Sequence, residues 1–366
     1  MRVLFPFVGD SVGGSHHSIV ELHRELCNNN ISSSIVIHQK GPLSCFLDDI
    51  GILYEYLPIN RLAGDSPNIL LILYSILVNF NKIHRYIQQN EIHIVHGNDL
   101  RINLTWSLPT KLSRASYVWH QRTLMSTSFL WNFIYLLGDY FVTISNYVHE
   151  TLPKNICKSN KGLVLNPFNA TTLYNRSESR HFIESLYSVP KEVILVGYIG
   201  RLVEWKNIDF LIKCFLEYDN HSIHLMVVGT GRNDYISKLK KISQNNNSIT
   251  FSGFSNNPNR IIAGFDIMIA PSSTEPFGRT LIEAMIQKTP VIAAIGGGHM
   301  EIIKHRGTGW LYNHGNIEDF IFQLKEVINE YEITSSVVKK AHIYACSEYS
   351  SSKHVENIIN IYRQLY

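Results

Sequence analysis

The stretch SSTEPFGRTLIEAM, Ser272–Met285, holds the densest group of candidate functional residues in the chain. It follows an apolar run, DIMIA, of the kind that forms a buried strand. Pro276 suits the first turn of a helix, so the pattern predicts a strand, a short turn and then a helix. The free backbone N–H groups near Phe277 and Gly278 would then favour an anion or a hydroxyl-rich ligand.

Two carboxylates accompany this turn. Glu275 precedes the predicted helix, and Glu283 lies eight residues further on, in its second turn. Both could accept hydrogen bonds from sugar hydroxyls. The same spacing also fits a Glu275 that caps the helix and a Glu283 that only meets solvent, so the pattern alone leaves both interpretations open.

Short β-rich runs alternate with helical patterns along the rest of the chain, which predicts parallel sheets wrapped by helices. This alternation of strands and helices starts twice, first near the N-terminus and again after a polar stretch that begins at Asn166. We therefore expect an α/β protein with two doubly wound, Rossmann-like halves that face each other across a central cleft. The predicted strands are Val3–Val8, Ser34–His38, Ile92–His96, Tyr117–Trp119, Val193–Tyr198, His224–Val228, Ile249–Phe251, Asp266–Ala270 and Val291–Ala294.

The polar, turn-rich stretch marks the predicted domain boundary. It divides the chain into an N-terminal domain at 1–165, a linker at 166–190, a second domain at 191–345 and a C-terminal helix at 346–366.

Composition excludes several classes of protein. Apolar residues make up 45% of the chain and charged residues 17%, which is ordinary for a globular protein. The formal net charge of +3 is too small for a general nucleic-acid binder. Five scattered cysteines without a CxxC pair favour a reducing cytoplasm. The longest apolar run, Ile69–Val78, is shorter than a bilayer span, and the N-terminal run is too short for a signal peptide.

A second candidate site is GRLVEWKN, Gly200–Asn207, directly after the first predicted strand of the second half. Doubly wound folds bind phosphate at such turns. Arg201 and Lys206 provide charges suited to a diphosphate, although cations on a surface loop can equally be solvated. The glycine pair Gly13-Gly14 occupies the equivalent turn of the first half, where a tight structural turn is an equal alternative. The full GxGxxG dinucleotide pattern is missing.

His120 ends the run YVWH and is the one histidine that we single out, either for an active site or as a structural histidine. The chain contains no DxD, HExxH, GxSxG or Walker A pattern and no tight His/Cys cluster. The sequence thus predicts no metal site.

Taken in order, GRLVEWKN, VVGTG, SGF, APSSTEPFGRTLIEAM, TPVIAAIGGGHMEII and GTGWLY resemble the C-terminal half of a known enzyme family. These are the retaining, nucleotide-sugar-dependent glycosyltransferases of the GT-B fold, family 4. The resemblance covers about Val193–Val327. It is thinner in the first half, where only the GG turn, IVHGND, VWH and TISNYV match.

The resemblance implies a role for several residues of the second half. Arg201 and Lys206 match the pair that holds the donor diphosphate, Glu283 matches the glutamate on the ribose hydroxyls, and Glu275 matches the one that faces the transferred sugar. The amides around Phe277 and Gly278, with Arg279 and Thr280 nearby, would hold that sugar's hydroxyls.

Three further roles follow from the resemblance. Gly14 would approach the phosphates, His120 would lie near the reacting anomeric carbon, and Phe254 would contact the base. The last helix would return to the N-terminal domain. Arg201, Lys206, His120 and Glu275 form the expected catalytic set.

The resemblance also implies a reaction that needs neither a cofactor nor a metal. A hexosyl unit would pass from a nucleotide diphosphate sugar, with UDP preferred over GDP, to a glycan or lipid-linked acceptor in a bacterial surface polysaccharide pathway (lipopolysaccharide, O-antigen or capsule). The alternatives are a sugar-nucleotide epimerase or hydrolase of the same fold and a non-catalytic sugar-nucleotide-binding subunit.

Two apolar segments, Asn68–Tyr86 and Phe129–Phe141, suit peripheral contact with the inner face of the plasma membrane by an otherwise cytoplasmic enzyme. A buried core helix accounts for either segment equally well.

Overall fold

The computed structural model describes residues 1–125, 136–187, 189–218, 220–244 and 246–366. They form two compact units. The first unit combines Met1–Pro167 with Ser351–Tyr366, and the second unit is Phe168–Ser350.

Each unit is built on a parallel sheet. The first sheet has the order β3-β2-β1-β4-β5-β6-β7, and the second has the order β10-β9-β8-β11-β12-β13. In each sheet the first strand along the chain lies inside and the order reverses beside it, as in Rossmann-like sheets. The strands are β1 (Arg2–Phe7), β2 (Ser32–Ile37), β3 (Glu55–Tyr56), β4 (Ile94–Gly97), β5 (Ser116–Gln121), β6 (Tyr140–Thr143), β7 (Lys161–Leu163), β8 (Ile194–Ile199), β9 (Ile223–Val228), β10 (Ile249–Gly253), β11 (Ile267–Ala270), β12 (Val291–Ala294) and β13 (Trp310–Tyr312).

Helices connect these strands and cover both sheets. They are α1 (Gly14–Asn28), α2 (Pro42–Asp49), α3 (Ile69–Gln89), α4 (Leu100–Lys111), α5 (Asn146–His149), α6 (Arg176–Tyr187), α7 (Ile208–Tyr218), α8 (Asn233–Ile242), α9 (Pro258–Ala263), α10 (Arg279–Ile286), α11 (His299–Ile302), α12 (Ile317–Asn329), α13 (Tyr331–Glu348) and α14 (Ser351–Leu365). Among the described residues, no helix combines the length and apolar character that a membrane span requires.

The central strand β1 of the first sheet is buried on both faces, which is why it is apolar at nearly every position. Along β1, Leu4 belongs to one core cluster, whereas Val3 and Phe5 belong to another. Successive side chains of a strand point to opposite faces. A parallel sheet covered on both sides therefore needs an apolar residue at nearly every strand position.

The sequence-based strand predictions are confirmed, each within two residues of the observed ends. The α/β fold with two doubly wound sheets is confirmed as well. The strands β3, β6, β7 and β13 were not predicted, and three of them (β3, β7 and β13) have only two or three residues, too few to show a periodicity.

The chain between the two units differs from the predicted linker at 166–190. The second unit already begins at Phe168, and α6 occupies twelve residues of the stretch. This helix buries Ile183, and its Arg180 pairs with Asp266 at 2.8 Å. The predicted C-terminal helix at 346–366 is also interrupted, because α13 ends at Glu348 and α14 starts at Ser351.

Candidate functional site

The candidate residues of the second unit gather at the carboxyl ends of its strands. Arg201 and Lys206 follow β8, and Glu275 follows β11. These two strands are neighbours, and they stand where the strand order reverses. Loops on either side of such a reversal leave a crevice in which doubly wound folds bind ligands.

Lys206 and Glu275 form a direct ion pair between these two loops. The Lys206 ammonium donates a hydrogen bond to a Glu275 carboxylate oxygen, and both side chains are largely buried. The ammonium also lies 4.4 Å from the ring centroid of Trp205, a cation–π contact. Asn207 follows in a left-handed conformation, and its amide contacts His314 at 2.7 Å. The position of Lys206 is thus fixed by its neighbours on both sides in the chain.

The helix after β11 starts later than the sequence predicts. Pro276 lies outside it, and α10 begins at Arg279 with Gly278 as its N-cap. The reason is the backbone of Gly278, whose φ of +109° is strained for any other residue. Phe277 and Gly278 therefore form the end of a loop rather than the first turn of a helix.

Arg279 and Glu283 lie one turn apart on α10 and form a second ion pair at 3.5 Å. The guanidinium of Arg279 also lies 4.2 Å from the ring centroid of Phe168. Burial lowers the pKa of Arg279, and the carboxylate of Glu283 opposes that shift. Thr280 is half-buried beside Arg279 at the start of the helix.

Three glycines after β12 hold the loop that carries Glu275. An added Cβ at Gly296, Gly297 or Gly298 would lie 2.3–2.5 Å from a backbone oxygen of that loop. The N–H group of Gly298 donates to the Glu275 carbonyl at 2.8 Å. In the sequence, GGG was part of the family resemblance only. Its signal was three consecutive glycines after an apolar strand, which indicate a close backbone approach.

His299 follows these glycines and lies beneath the same loop. Its ring is buried, and burial lowers its pKa to about 4, against the opposing charge of Glu275. The Cδ2 atom of His299 would lie 3.1 Å from a Cβ at Gly278. A neutral imidazole therefore supports the turn at Gly278. This histidine was not among the candidate residues predicted from the sequence.

Two candidates of the second unit stay outside these contacts. Arg201 is exposed, and no described residue pairs with its side chain. Phe254 follows β10 and is 70% exposed. Both are available to a ligand.

The remaining two candidates belong to the first unit. Gly14 is the first residue of α1, after the N-cap Gly13. His120 lies in β5, next to last in the strand, where it is buried against His96.

No three His, Cys, Asp or Glu side chains gather at a position suited to a metal ion in the part of the chain that the structure describes. Metal independence stays a prediction.

A known protein family matches the part of the chain that carries the candidate residues of the second unit. Residues 181–343 match the family model described as glycosyl transferases group 1. The chain carries a group 1 glycosyltransferase domain. That glycosyltransferase domain lies within the second unit and contains every candidate residue discussed there.

Two curated relatives each match about half of this chain. An uncharacterised glycosyltransferase of Methanocaldococcus jannaschii is 28% identical over 204 residues, which cover 54% of this chain and 52% of that protein. The poly(ribitol-phosphate) α-N-acetylglucosaminyltransferase of Staphylococcus aureus is 26% identical, over 54% of this chain and 41% of that enzyme. The chain thus spans about half, or less, of the length of these relatives.

Solved structures establish the fold over the whole chain. Anabaena HepE in complex with UDP-glucose is 19% identical, with a TM-score of 0.84 and complete coverage of both chains. The fold is that of the GT-B glycosyltransferases.

Proposed function

We propose that this protein is a retaining glycosyltransferase that moves a hexosyl unit from a nucleotide diphosphate sugar to a glycan or lipid-linked acceptor. The observation that carries the proposal is the largely buried Lys206–Glu275 ion pair at the strand-order reversal, with the exposed Arg201 on the same loop as Lys206. A fixed ammonium and an exposed guanidinium suit a diphosphate, and a carboxylate suits a sugar hydroxyl.

The positive charges of Lys206 and Arg201 are complementary to the negative charge that develops during the proposed reaction. Breaking the bond between sugar and diphosphate leaves negative charge on the β-phosphate and positive character on the anomeric carbon. Lys206 and Arg201 provide positive charge without a reorganisation of solvent, so the proposed reaction needs no metal. The acceptor would attack from the face that the diphosphate leaves, and the departing phosphate would help to remove the acceptor's proton.

The remaining roles are proposed from the sequence resemblance. Glu283 would bind the ribose hydroxyls, held in place by Arg279, and Phe254 would contact the base. In the first unit, Gly14 would contact the phosphates and His120 the transferred sugar. UDP is the preferred nucleotide, which the complex of Anabaena HepE with UDP-glucose supports.

The acceptor is proposed to be part of a bacterial surface polysaccharide. The Staphylococcus aureus relative is named for transfer to poly(ribitol-phosphate), which supports a polymeric acceptor. The reaction would take place in the cytoplasm, at the inner face of the membrane.

Nucleotide binding provides the direct test of the donor class. We expect UDP, among UDP, GDP, CMP and dTDP with EDTA present, to give the largest increase in melting temperature. A ligand at 100 times its Kd stabilises a protein by about 2.7 kcal/mol. Glu283→Ala should abolish the UDP effect because it removes the proposed ribose contact. If none of the four nucleotides stabilises the protein, or if stabilisation needs a divalent metal, the proposed donor site is wrong.

The control for this prediction is Glu326→Ala. Glu326 belongs to the same unit and pairs with Arg306 at 2.9 Å, outside the proposed site, so this variant should keep the UDP effect. Product analysis with UDP-sugars then separates transfer from the alternatives. A product with the donor's anomeric configuration supports retention, whereas free sugar or an epimerised donor would indicate a hydrolase or an epimerase.

Helix α3 supports contact with a membrane. Six large apolar side chains on one face are 45–71% exposed: Ile69, Leu70, Leu73, Tyr74, Leu77 and Val78. The opposite face is buried through Ile76, Ile83 and Ile87. The helix contains no acidic residue, and Lys82 and Arg85 are exposed near its end. An apolar face followed by basic residues is typical of helices that lie on anionic lipid surfaces.

The second predicted membrane segment, Phe129–Phe141, falls mostly on residues 126–135, which lie outside the described residues. The membrane proposal therefore depends on α3 alone.

Vesicle binding tests this surface. We expect the protein to cosediment with vesicles that contain phosphatidylglycerol. The triple variant Leu70→Ser, Leu73→Ser, Leu77→Ser should bind at least about 10²-fold more weakly, because each buried leucine contributes about 1.5 kcal/mol or more. The matched control replaces three exposed apolar residues of the second unit, Leu186, Phe322 and Ile343, by serine. Equal losses in both triple variants would contradict a role for α3.

A further inference from the structure

A chain of hydrogen bonds runs through the core of the first unit and ends on His120. The hydroxyl of Tyr362 in α14 lies 2.6 Å from Nδ1 of His96 in β4. The Nε2 atom of His96 lies 3.0 Å from Nδ1 of His120 in β5. All three side chains are at most 1% exposed, so solvent cannot replace any of these partners.

Arg122 determines which atoms donate and which accept along this chain of hydrogen bonds. Its Nη2 atom lies 3.3 Å from Nδ1 of His120 and 2.8 Å from the Oδ1 atom of Asn98. A second nitrogen, Nη1, donates to Asn166 at 2.5 Å. A guanidinium is only a donor. The Nδ1 atom of His120 must therefore accept, and its ring proton lies on Nε2.

The remaining protons follow from this assignment. Burial lowers the pKa of both His96 and His120 well below the usual range, so each ring is neutral and carries one proton. His96 donates through Nε2 to the accepting Nδ1 of His120, and its own Nδ1 must then accept from the Tyr362 hydroxyl. Every donor along the chain faces an acceptor, and the Nδ1 lone pair of His120 is shared between the donors of His96 and Arg122.

The last donor of this hydrogen-bond chain, the Nε2–H group of His120, has no partner among the described residues. The Nε2 atom of His120 is buried and makes no hydrogen bond within the described part of the structure. Buried N–H groups are nearly always paired. An unpaired one at the end of an ordered chain of donors is a position where an acceptor atom of a ligand can complete the chain.

We propose that Tyr362 and His96 are positioning residues that fix His120 in its Nε2–H tautomer, so that His120 donates a hydrogen bond to an oxygen of the bound sugar. The inference rests on the proposed glycosyltransferase function for the identity of that ligand. His120 then acts as a neutral donor and not as a base. The helix α14 thereby supplies a functional side chain from the last residues of the chain.

The tautomer is measured first, on the wild-type protein without substrate. In protein labelled with ¹⁵N-histidine, long-range ¹H–¹⁵N correlation spectra distinguish Nε2–H from Nδ1–H rings, and His120→Gln identifies the signal. We expect Nε2–H for His120 and for His96. An Nδ1–H or doubly protonated His120 would overturn the proposal, whether or not the protein transfers sugar.

A double-mutant cycle measures the coupling. Tyr362→Phe should lower kcat by about threefold to tenfold, the usual size of one neutral hydrogen bond. In a His120→Ala background the same change should alter kcat less than twofold. Tyr117→Phe is the matched control, because it removes another buried hydroxyl of the same unit, one that bonds to Asn103 and not to His120. This control should keep the wild-type kcat.

Each outcome of the cycle bears on the proposal. Additive effects of Tyr362→Phe and His120→Ala would overturn it, and so would an equal loss in Tyr117→Phe. If Tyr362→Phe does not fold, His96→Gln keeps a donor toward His120 and should retain more activity than His96→Leu. If the wild type transfers no sugar, the proposed function fails. The cycle is then measured on the Kd of the nucleotide sugar that binds best, and the absence of coupling there would overturn the positioning role.

Discussion

Lys206→Ala is expected to lower kcat for sugar transfer by about 10²–10³-fold, the effect typical of removing one preorganised charge at a developing anion. Lys206 is held between the ring of Trp205 and the carboxylate of Glu275. This fixed position means that the ammonium does not have to reorganise as charge appears on the leaving diphosphate. The measurement is the rate of nucleotide release from the donor sugar in the presence of acceptor.

Two further variants separate chemistry from stability. Lys206→Ala also leaves the carboxylate of Glu275 buried without its partner, which lowers stability, so the rate is measured well below the melting temperature. Lys206→Arg restores a positive charge and should recover part of the rate. Arg306→Ala breaks another ion pair of the same unit, with Glu326, and should leave the rate unchanged. A Lys206→Ala enzyme with more than a tenth of the wild-type rate would contradict the assigned role.

Gly298→Ala is expected to have the second large effect, on both stability and transfer. The added Cβ would lie 2.4 Å from the Phe277 carbonyl oxygen and 2.7 Å from its Cα atom. These are backbone atoms, so no side-chain rotation can relieve the contact and the loop that carries Glu275 must move. Overpacking of this kind costs about 1–3 kcal/mol. Displacing a group that orients the substrate by about 1 Å can cost about 10²-fold in rate.

The control for this prediction is Gly315→Ala. Gly315 has a positive φ of +80° but nothing within 4 Å of an added Cβ, so it reports backbone strain without a clash. Both variants are compared by thermal unfolding and by kcat. We expect Gly298→Ala to lose transfer activity and Gly315→Ala to keep it. Equal rates in the two variants would show that the contact with Phe277 does not position the loop.

The sheets could be predicted from the sequence because burial on both faces requires nearly continuous apolar strands. Runs such as Val193–Tyr198 and Val291–Ala294, each with a helical pattern further along the chain, are typical of strands in a covered parallel sheet. Helix α6 was missed for the opposite reason. It is mostly polar and buries only Ser179 and Ile183, so the segment is similar in composition to a linker.

The candidate site could be predicted in its parts but not in its internal contacts. Glu275 and Lys206 were singled out separately, 69 residues apart. Their ion pair depends on β8 and β11 being neighbours, and adjacency in a sheet is a tertiary property. The start of α10 at Arg279 was mispredicted because Pro276 matches a helical first turn locally, whereas the positive φ of Gly278 prevents the helix from beginning there.

The contacts of His120 in the first unit could not be predicted from the sequence either. Its position near the end of a strand was evident from YVWH, but its partners are distant in sequence. His96 lies 24 residues away and Tyr362 lies on α14, 266 residues from His96. No local pattern connects a tyrosine in the final helix with a histidine in β4.

The division of the first unit into residues 1–167 and 351–366 imposes an order on folding during synthesis. Five side chains of α14 complete one of that unit's hydrophobic clusters: Val355, Ile358, Ile359, Ile361 and Tyr362. At the usual rates of translation, a ribosome needs roughly 10–40 s to make the intervening second unit. During that time the first unit exposes the apolar surface that α14 later covers, while the second unit emerges as one continuous segment. Of the two units, the one translated first is therefore the last to be completed, and its exposed apolar surface is prone to aggregation until α14 is made.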